Sequence, residues 1–247
     1  MSTPAGLGTR VAAQGRWETV SMLRNGEQLL LAVVLPLLAL IGLTFVDLLD
    51  GDGSRRIDLA TPGVLALCVV STAFTGQGIA TGFDRRYGVL RYLSTTPLGR
   101  GGLIAGKAIA VLAVLVLQSL VIGAVALLLG WRPDPAGLLI AVVLLVLGAA
   151  CFTSLGLLVA GTVRPEATLA ITNLLWVLLA GAGGLLLPTG RLPGWLNGVV
   201  DALPSAALGN ALRTALTTGA LDVGPLLVLL VWTVAASLAA VRWFRWD

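Results

Sequence analysis

Histidine is absent from the 247 residues, cysteine occurs only at Cys68 and Cys151, and charged residues make up just 11%. Without imidazole the chain lacks the commonest acid/base group near neutral pH and the commonest metal ligand. Two cysteines inside apolar runs exclude a disulfide framework and a Cys/His metal site, so no metal is expected. The scarcity of charge excludes both intrinsic disorder, which needs low hydrophobicity, and a water-covered globular surface, which carries about 25% charged residues. What is abundant is apolar: 57% of the residues are hydrophobic, and the mean hydropathy is +0.96. Most of this chain belongs in a low-dielectric solvent.

Six stretches contain no Asp, Glu, Lys or Arg: residues 28–46, 59–83, 108–131, 135–163, 167–190 and 223–241. Each approaches or exceeds the roughly 20 residues a helix needs to cross about 30 Å of hydrocarbon. None shows the ten-residue alternation of a membrane barrel. The expected fold is an all-α polytopic membrane protein with spans at 28–48, 60–83, 104–130, 136–162, 167–188 and 223–242. Acidic and basic residues precede the first run and no A-x-A-like exit follows it, so it reads as a retained helix rather than a signal peptide.

Basic residues set the orientation. With the N-terminus inside, eleven fall on the cytoplasmic side and five outside, at Arg55, Arg56, Arg132, Arg191 and Arg213. Both termini are therefore expected in the cytoplasm. The same scatter of charge over loops leaves no basic patch for nucleic acid. Residues 1–26 carry a polar stripe of Arg10, Gln14, Glu18, Ser21 and Asn25, which predicts an interfacial helix lying flat on the inner leaflet.

No ionisable group lies within the span interiors, which argues against a proton relay. The polar groups at depth include Thr72, Thr75, Gln77, Gln118, Thr153, Ser154, Thr172 and Asn173. They are readable as glue between helices or, for Thr75, Gln77, Asn173 and Trp176, as the lining of a path for an amphipathic substrate. Gly78 with Gly82 and Gly156 with Ala160 are spaced for close helix packing. Pro36 should kink or break the first span. The cluster Gly181-Ala182-Gly183-Gly184 interrupts the fifth; Pro193 starts a short helix that Pro204 breaks, and Leu208, Leu212, Ala215 and Leu216 suggest a second. Residues 190–219 are thus expected to form an extracellular re-entrant or interfacial hairpin, with Trp195 at headgroup depth.

The loop at 84–102 is the largest cytoplasmic segment. Tyr87, Leu90 and Leu93 recur at i, i+3, i+6; Pro97 and Gly99 end the helix, and Gly101-Gly102 turn into the third span. By composition it is equally a solvated basic loop or a docking helix for a soluble partner.

Particular residues resemble a known family. Asp84-Arg85-Arg86-Tyr87-Gly88, then Leu90-x-x-Leu93-x-x-x-Pro97-Leu98 and Gly106-Lys107, resemble the cytoplasmic segment of ABC-2-type transporter permeases. Leu192-Pro193-Gly194-Trp195-Leu196, Leu203-Pro204 and Leu212-Arg213 are similar to that family's extracellular re-entrant region. Leu23-Arg24-Asn25 with Leu35-Pro36 match its first helix. The resemblance implies a type V exporter-like, non-catalytic transmembrane subunit. It implies a homodimer, or a heterodimer with a second permease, surrounded by membrane lipid. Two copies of a separate ABC ATPase would bind ATP and Mg, in keeping with the lack of a G-x-x-x-x-G-K-[ST] loop here. Residues 87–96 would be the coupling helix, and Asp84, Arg85, Arg86, Tyr87, Leu90, Arg91, Leu93 and Pro97 the ATPase-coupling set. The implied location is a bacterial cell membrane. Short outer loops and an uncharged interior favour a small drug-like or lipid-like cargo over a polyprenyl-linked glycan. A secondary transporter or channel working without an ATPase, and a non-transporting anchor, are the alternatives.

Overall fold

A computed structural model describes residues 5–46, 55–188 and 194–244. Every regular element among them is helical: α1 Leu7–Arg24, α2 Gly26–Phe45, α3 Arg56–Val69, a π segment Val70–Gly76, α4 Gln77–Arg86, α5 Val89–Ser94, α6 Gly99–Leu128, α7 Pro135–Thr162, α8 Pro165–Gly181, α9 Gly194–Asp201, α10 Pro204–Thr218 and α11 Val223–Trp243. Four continuous helices are long and apolar enough to cross a membrane: Arg56–Arg86, Gly101–Leu128, Pro135–Thr162 and Val223–Trp243. The apolar stretches Ala32–Phe45 in α2 and Pro165–Gly181 (α8) are shorter. The end of the expected first span at 47–48, Leu192-Pro193 with Arg191, and Arg245 lie outside the described residues.

Local chemistry sets the helix starts. Asp134 accepts from the Ala136 amide at 2.8 Å and Asp222 from Gly224 at 3.1 Å, each satisfying an orphan donor. Pro135, Pro165 and Pro204 occupy first-turn positions, where a missing N–H costs nothing. The helix α3–π–α4 is the most deeply buried of the four long ones. Against its α3 half pack α2, α6 and α10, and against its α4 half α7 and α8, while α1 lies along α6 and α11 along α7.

Several boundaries differ from the sequence reading, each for a physical reason. α4 continues to Arg86, and Gly88, at φ +71°, breaks it, so the helix expected at 87–96 is the six-residue α5, Val89–Ser94. Gly101 and Gly102 do not form a turn. They lie inside α6, where the side chain of Leu98 covers Gly102. α2 runs through Pro36 without a break. The fifth helix stops at Gly181 instead of reaching residue 188, and Gly184 takes φ +74° in the irregular stretch beyond.

Of the two settings open to the segment at 190–219, α10 takes the buried one: it packs among α3, α7 and α11, and a Cβ on Gly137 would overlap the Ala215 carbonyl. Trp195 on α9 stays exposed. α1 turns only the middle of its polar stripe toward the protein, with Glu18 buried and Gly15 against Ile109, and leaves Ser21 outward along with Trp17, Val20 and Leu23.

Candidate functional site

A cavity of about 720 Å³ lies between α2, the π segment and α8. Its lining has no Asp, Glu, Lys or Arg and includes three of the four expected path residues, Thr75, Asn173 and Trp176. Two of its walls are tied together where Trp176 Nε1 donates to Ser71 Oγ at 2.8 Å. Thr75 Oγ1 is buried with no hydrogen-bond partner. Four of the lining residues, Ser71, Thr72, Thr75 and Gly76, belong to the π segment and share its cavity side, and such segments are frequent at functional positions. Gln77 is the exception. It is buried on the first turn of α4, where Nε2 reaches Met22 Sδ at 3.5 Å, and it does not line the cavity.

Backbone proximity fixes the far side of this helix. Gly78 on α4 faces Gly156 on α7, and a Cβ on Gly156 would stand 2.7 Å from the Phe74 carbonyl and 3.3 Å from the Gly78 amide. Gly82 packs on Thr168 of α8, and Ala160 is buried one turn beyond Gly156. The two small-residue pairs thus meet at one crossing, with Gly82 extending it onto α8.

The expected coupling residues divide by direction. Tyr87 and Tyr92 are each 72% exposed, and Tyr87 stacks on Phe83 with centroids 6.1 Å apart. Arg91 and Pro97 are exposed as well. Leu90 points the other way: it is fully buried against Leu98 and Leu103, with Leu93 packed alongside, so it offers nothing to a soluble partner. The first residues of the set hold the protein together instead. Arg85 Nη1 donates to the carbonyls of Ala160 at 2.9 Å and Val163 at 3.2 Å, capping the C-terminus of α7 where a cation is favoured. Arg86 pairs with Glu166 of α8 at 2.8 Å on the surface. Asp84 accepts from Lys107 at 2.9 Å.

Lys107 is the centre of a group that the sequence reading did not assemble. Its side chain is buried, and Nζ also lies 3.2 Å from Glu18 Oε1, which in turn accepts from Gln14 Nε2 at 3.1 Å. Three elements, α1, α4 and α6, therefore converge on one ammonium. Arg10 on α1 also donates to the Pro97 carbonyl. The available signal was that Lys107 is the single lysine of the chain, placed one turn inside an apolar helix.

Arg213 is the second buried cation. Counted above as a charge on an outer loop, it is only 6% exposed, so it does not belong to the charge balance of that loop. Its guanidinium donates to the carbonyls of Gly184, at 3.1 Å, and Leu185, and to Asn210 Oδ1 at 3.1 Å. Burial pushes its pKa down to about 10, so it stays charged at neutral pH. Non-helical backbone inside a membrane domain must find donors within the protein, and Arg213 supplies them to the unwound stretch after α8. Beside it opens a second pocket of about 580 Å³, lined by Asp201, Asp222, Asn210 and Arg213. Among the described residues no group of three or more His, Cys, Asp or Glu could hold a metal.

Comparison with known proteins adds two findings. The profile of a family described as "ABC-2 type transporter" matches residues 10–217. The chain is also similar to the daunorubicin resistance ABC transporter permease protein DrrB1 of Streptomyces coeruleorubidus. The two are 29% identical over 225 residues, covering 87% of this chain and 76% of that protein.

Proposed function

Because this chain belongs to the ABC-2 type transporter family as a membrane permease, we propose that it is the permease subunit of an exporter powered by a separate ATPase. Its cargo is a small amphipathic molecule, drug-like or lipid-like. The observation that carries the reading is the uncharged cavity of about 720 Å³ between α2, the π segment and α8. A volume of this size suits a drug-sized ligand, and a mostly apolar lining with a few polar groups suits an amphiphile. The named relative confers resistance to a drug, which supports the same class of cargo.

In this reading α2, α3–α4, α6, α7, α8 and α11 are six spans in a bacterial cytoplasmic membrane, with both termini inside. Two permeases, identical or different, work with two ATPase subunits that bind ATP and Mg. The exposed Tyr87, Arg91 and Tyr92 surface receives the ATPase. Closure of the two ATPases pushes on the short cytoplasmic helix α5, and the Lys107 group passes that displacement to α1, α4 and α6 together.

The test is co-purification with a co-expressed ABC ATPase from the same organism. The intact permease should retain the ATPase through detergent extraction, and Y87D/Y92D should lose it while inserting normally. An ATPase that never associates, or export that collapses with an ionophore while ATP stays high, would overturn the proposal.

A further inference from the structure

Pro36 has no amide hydrogen, so the carbonyl of Ala32, four residues earlier in α2, lacks its helical donor. In an apolar helix that carbonyl needs another partner. It finds one on α6: Gln118 is fully buried, and its Nε2 donates to Ala32 O at 2.6 Å. The other end of the same amide is also used, since Gln118 Oε1 accepts from Thr72 Oγ1 at 2.9 Å. The orientation follows from the partners, because a carbonyl can only accept and a hydroxyl can donate.

One side chain therefore joins two helix irregularities. Ala32 belongs to the turn that Pro36 disrupts, and Thr72 belongs to the π segment. Both line the cavity, while Gln118 stands behind them. We infer that Gln118 is a positioning residue for the cavity: it fixes the separation of α2 from the π segment, and through them the shape of the wall that selects cargo. The inference rests on reading this cavity as the transport path.

An ordinary interhelical hydrogen bond would predict only a loss of stability. Here the acceptor is vacant because of a proline, which gives a sharper expectation. Replacing Pro36 by Ala restores an N–H to Ala32 O and makes half of the Gln118 contact redundant. Q118L alone releases both Ala32 and Thr72, whereas P36A/Q118L releases only Thr72.

The full permease carrying T75C, with the buried Cys68 and Cys151 changed to Ala, can report on the cavity in nanodiscs through its rate of maleimide labelling. Q118L should change that rate by about eightfold, the scale of two lost interhelical hydrogen bonds at about threefold each. P36A/Q118L, which loses only the Thr72 bond, should return it to within about threefold of the parent. Equal rates in Q118L and the parent, or no suppression by P36A, would overturn the inference. If Q118L fails to reach the membrane, P36A/Q118L should restore its yield, and failure to do so overturns the inference equally.

Ethidium efflux, with the ATPase co-expressed, separates this inference from the functional reading. Q118L should raise KM with kcat little changed, as expected when ground-state fit alone is altered. Labelling that shifts as stated with an unchanged ethidium KM upholds Gln118 as the residue that positions the cavity, and sinks the cavity as the transport path.

Discussion

Lys107 Nζ and Asp84 Oδ2 stand 2.9 Å apart where the first long helix leaves its apolar stretch and the second begins. The lysine is 1% exposed, and Glu18 completes the group from a third element. Removing one member of a buried ion group leaves the others unpaired, a change that generally costs about 3–5 kcal/mol. K107M should therefore lower the thermal unfolding temperature in detergent markedly. E18Q/D84N/K107M should recover most of that loss, because the triple change leaves no buried charge. A triple variant no more stable than K107M would show that packing of the lysine stem, not its charge, is what matters.

A guanidinium that holds two backbone carbonyls cannot be replaced by a single ammonium. R213M strands the Gly184 and Leu185 carbonyls and should cost roughly 2–6 kcal/mol, from about 1–3 kcal/mol for each unsatisfied buried group. R213K should fall between R213M and the parent, since lysine lacks the planar fork. Monodisperse yield in fluorescence-detected size exclusion, together with unfolding midpoints, gives the ranking.

Two glycines in long helices should respond in opposite ways to a single methyl. G156A places a Cβ 2.7 Å from the Phe74 carbonyl, and backbone on both sides of the crossing has no rotamer to move, so about 1–3 kcal/mol is lost. Gly123 on α6 has nothing within 4 Å of the same added atom, and G123A should be neutral or stabilising by up to about 1 kcal/mol. Matched melting curves of the two variants decide it.

On α5, neighbouring residues should separate folding from partner binding. L90A empties a fully buried position and should destabilise by about 2–4 kcal/mol. Y92A removes an exposed ring and should change stability by less than about 0.5 kcal/mol. The binding readout, ATPase retained per permease, should nevertheless drop for Y92A at unchanged permease yield.

Much of the helical layout was legible because a run without charge directly implies a helix that satisfies its own backbone in an apolar solvent. Residues 135–163 became α7 within a residue at each end, and the Gly181–Gly184 cluster ended α8 as its composition required. Long-range pairings were not legible. Nothing local to Lys107 names Glu18, and nothing local to Arg213 announces that it will hold the carbonyls of residues 184 and 185. The π segment has no compositional mark. The stripe on α1 was assigned to water, whereas Glu18 from its middle is buried against the protein and Ser21 is not, because periodicity gives a polar face without saying what that face meets.

That inward polar face constrains the order in which the molecule can assemble. Arg10 and the carbonyl it holds, on Pro97, are 87 positions apart, and Lys107 follows later still. A nascent chain therefore exposes α1 well before its seat has been synthesised. Until then the helix has only the bilayer surface to rest on, with Glu18 in water and Trp17 in the lipid headgroups. Once the first and second long helices are inserted, α1 can slide onto the mouth of α6 without rotating its apolar side out of the lipid. A helix made before its seat is thus locked only afterwards, around a correctly paired Lys107.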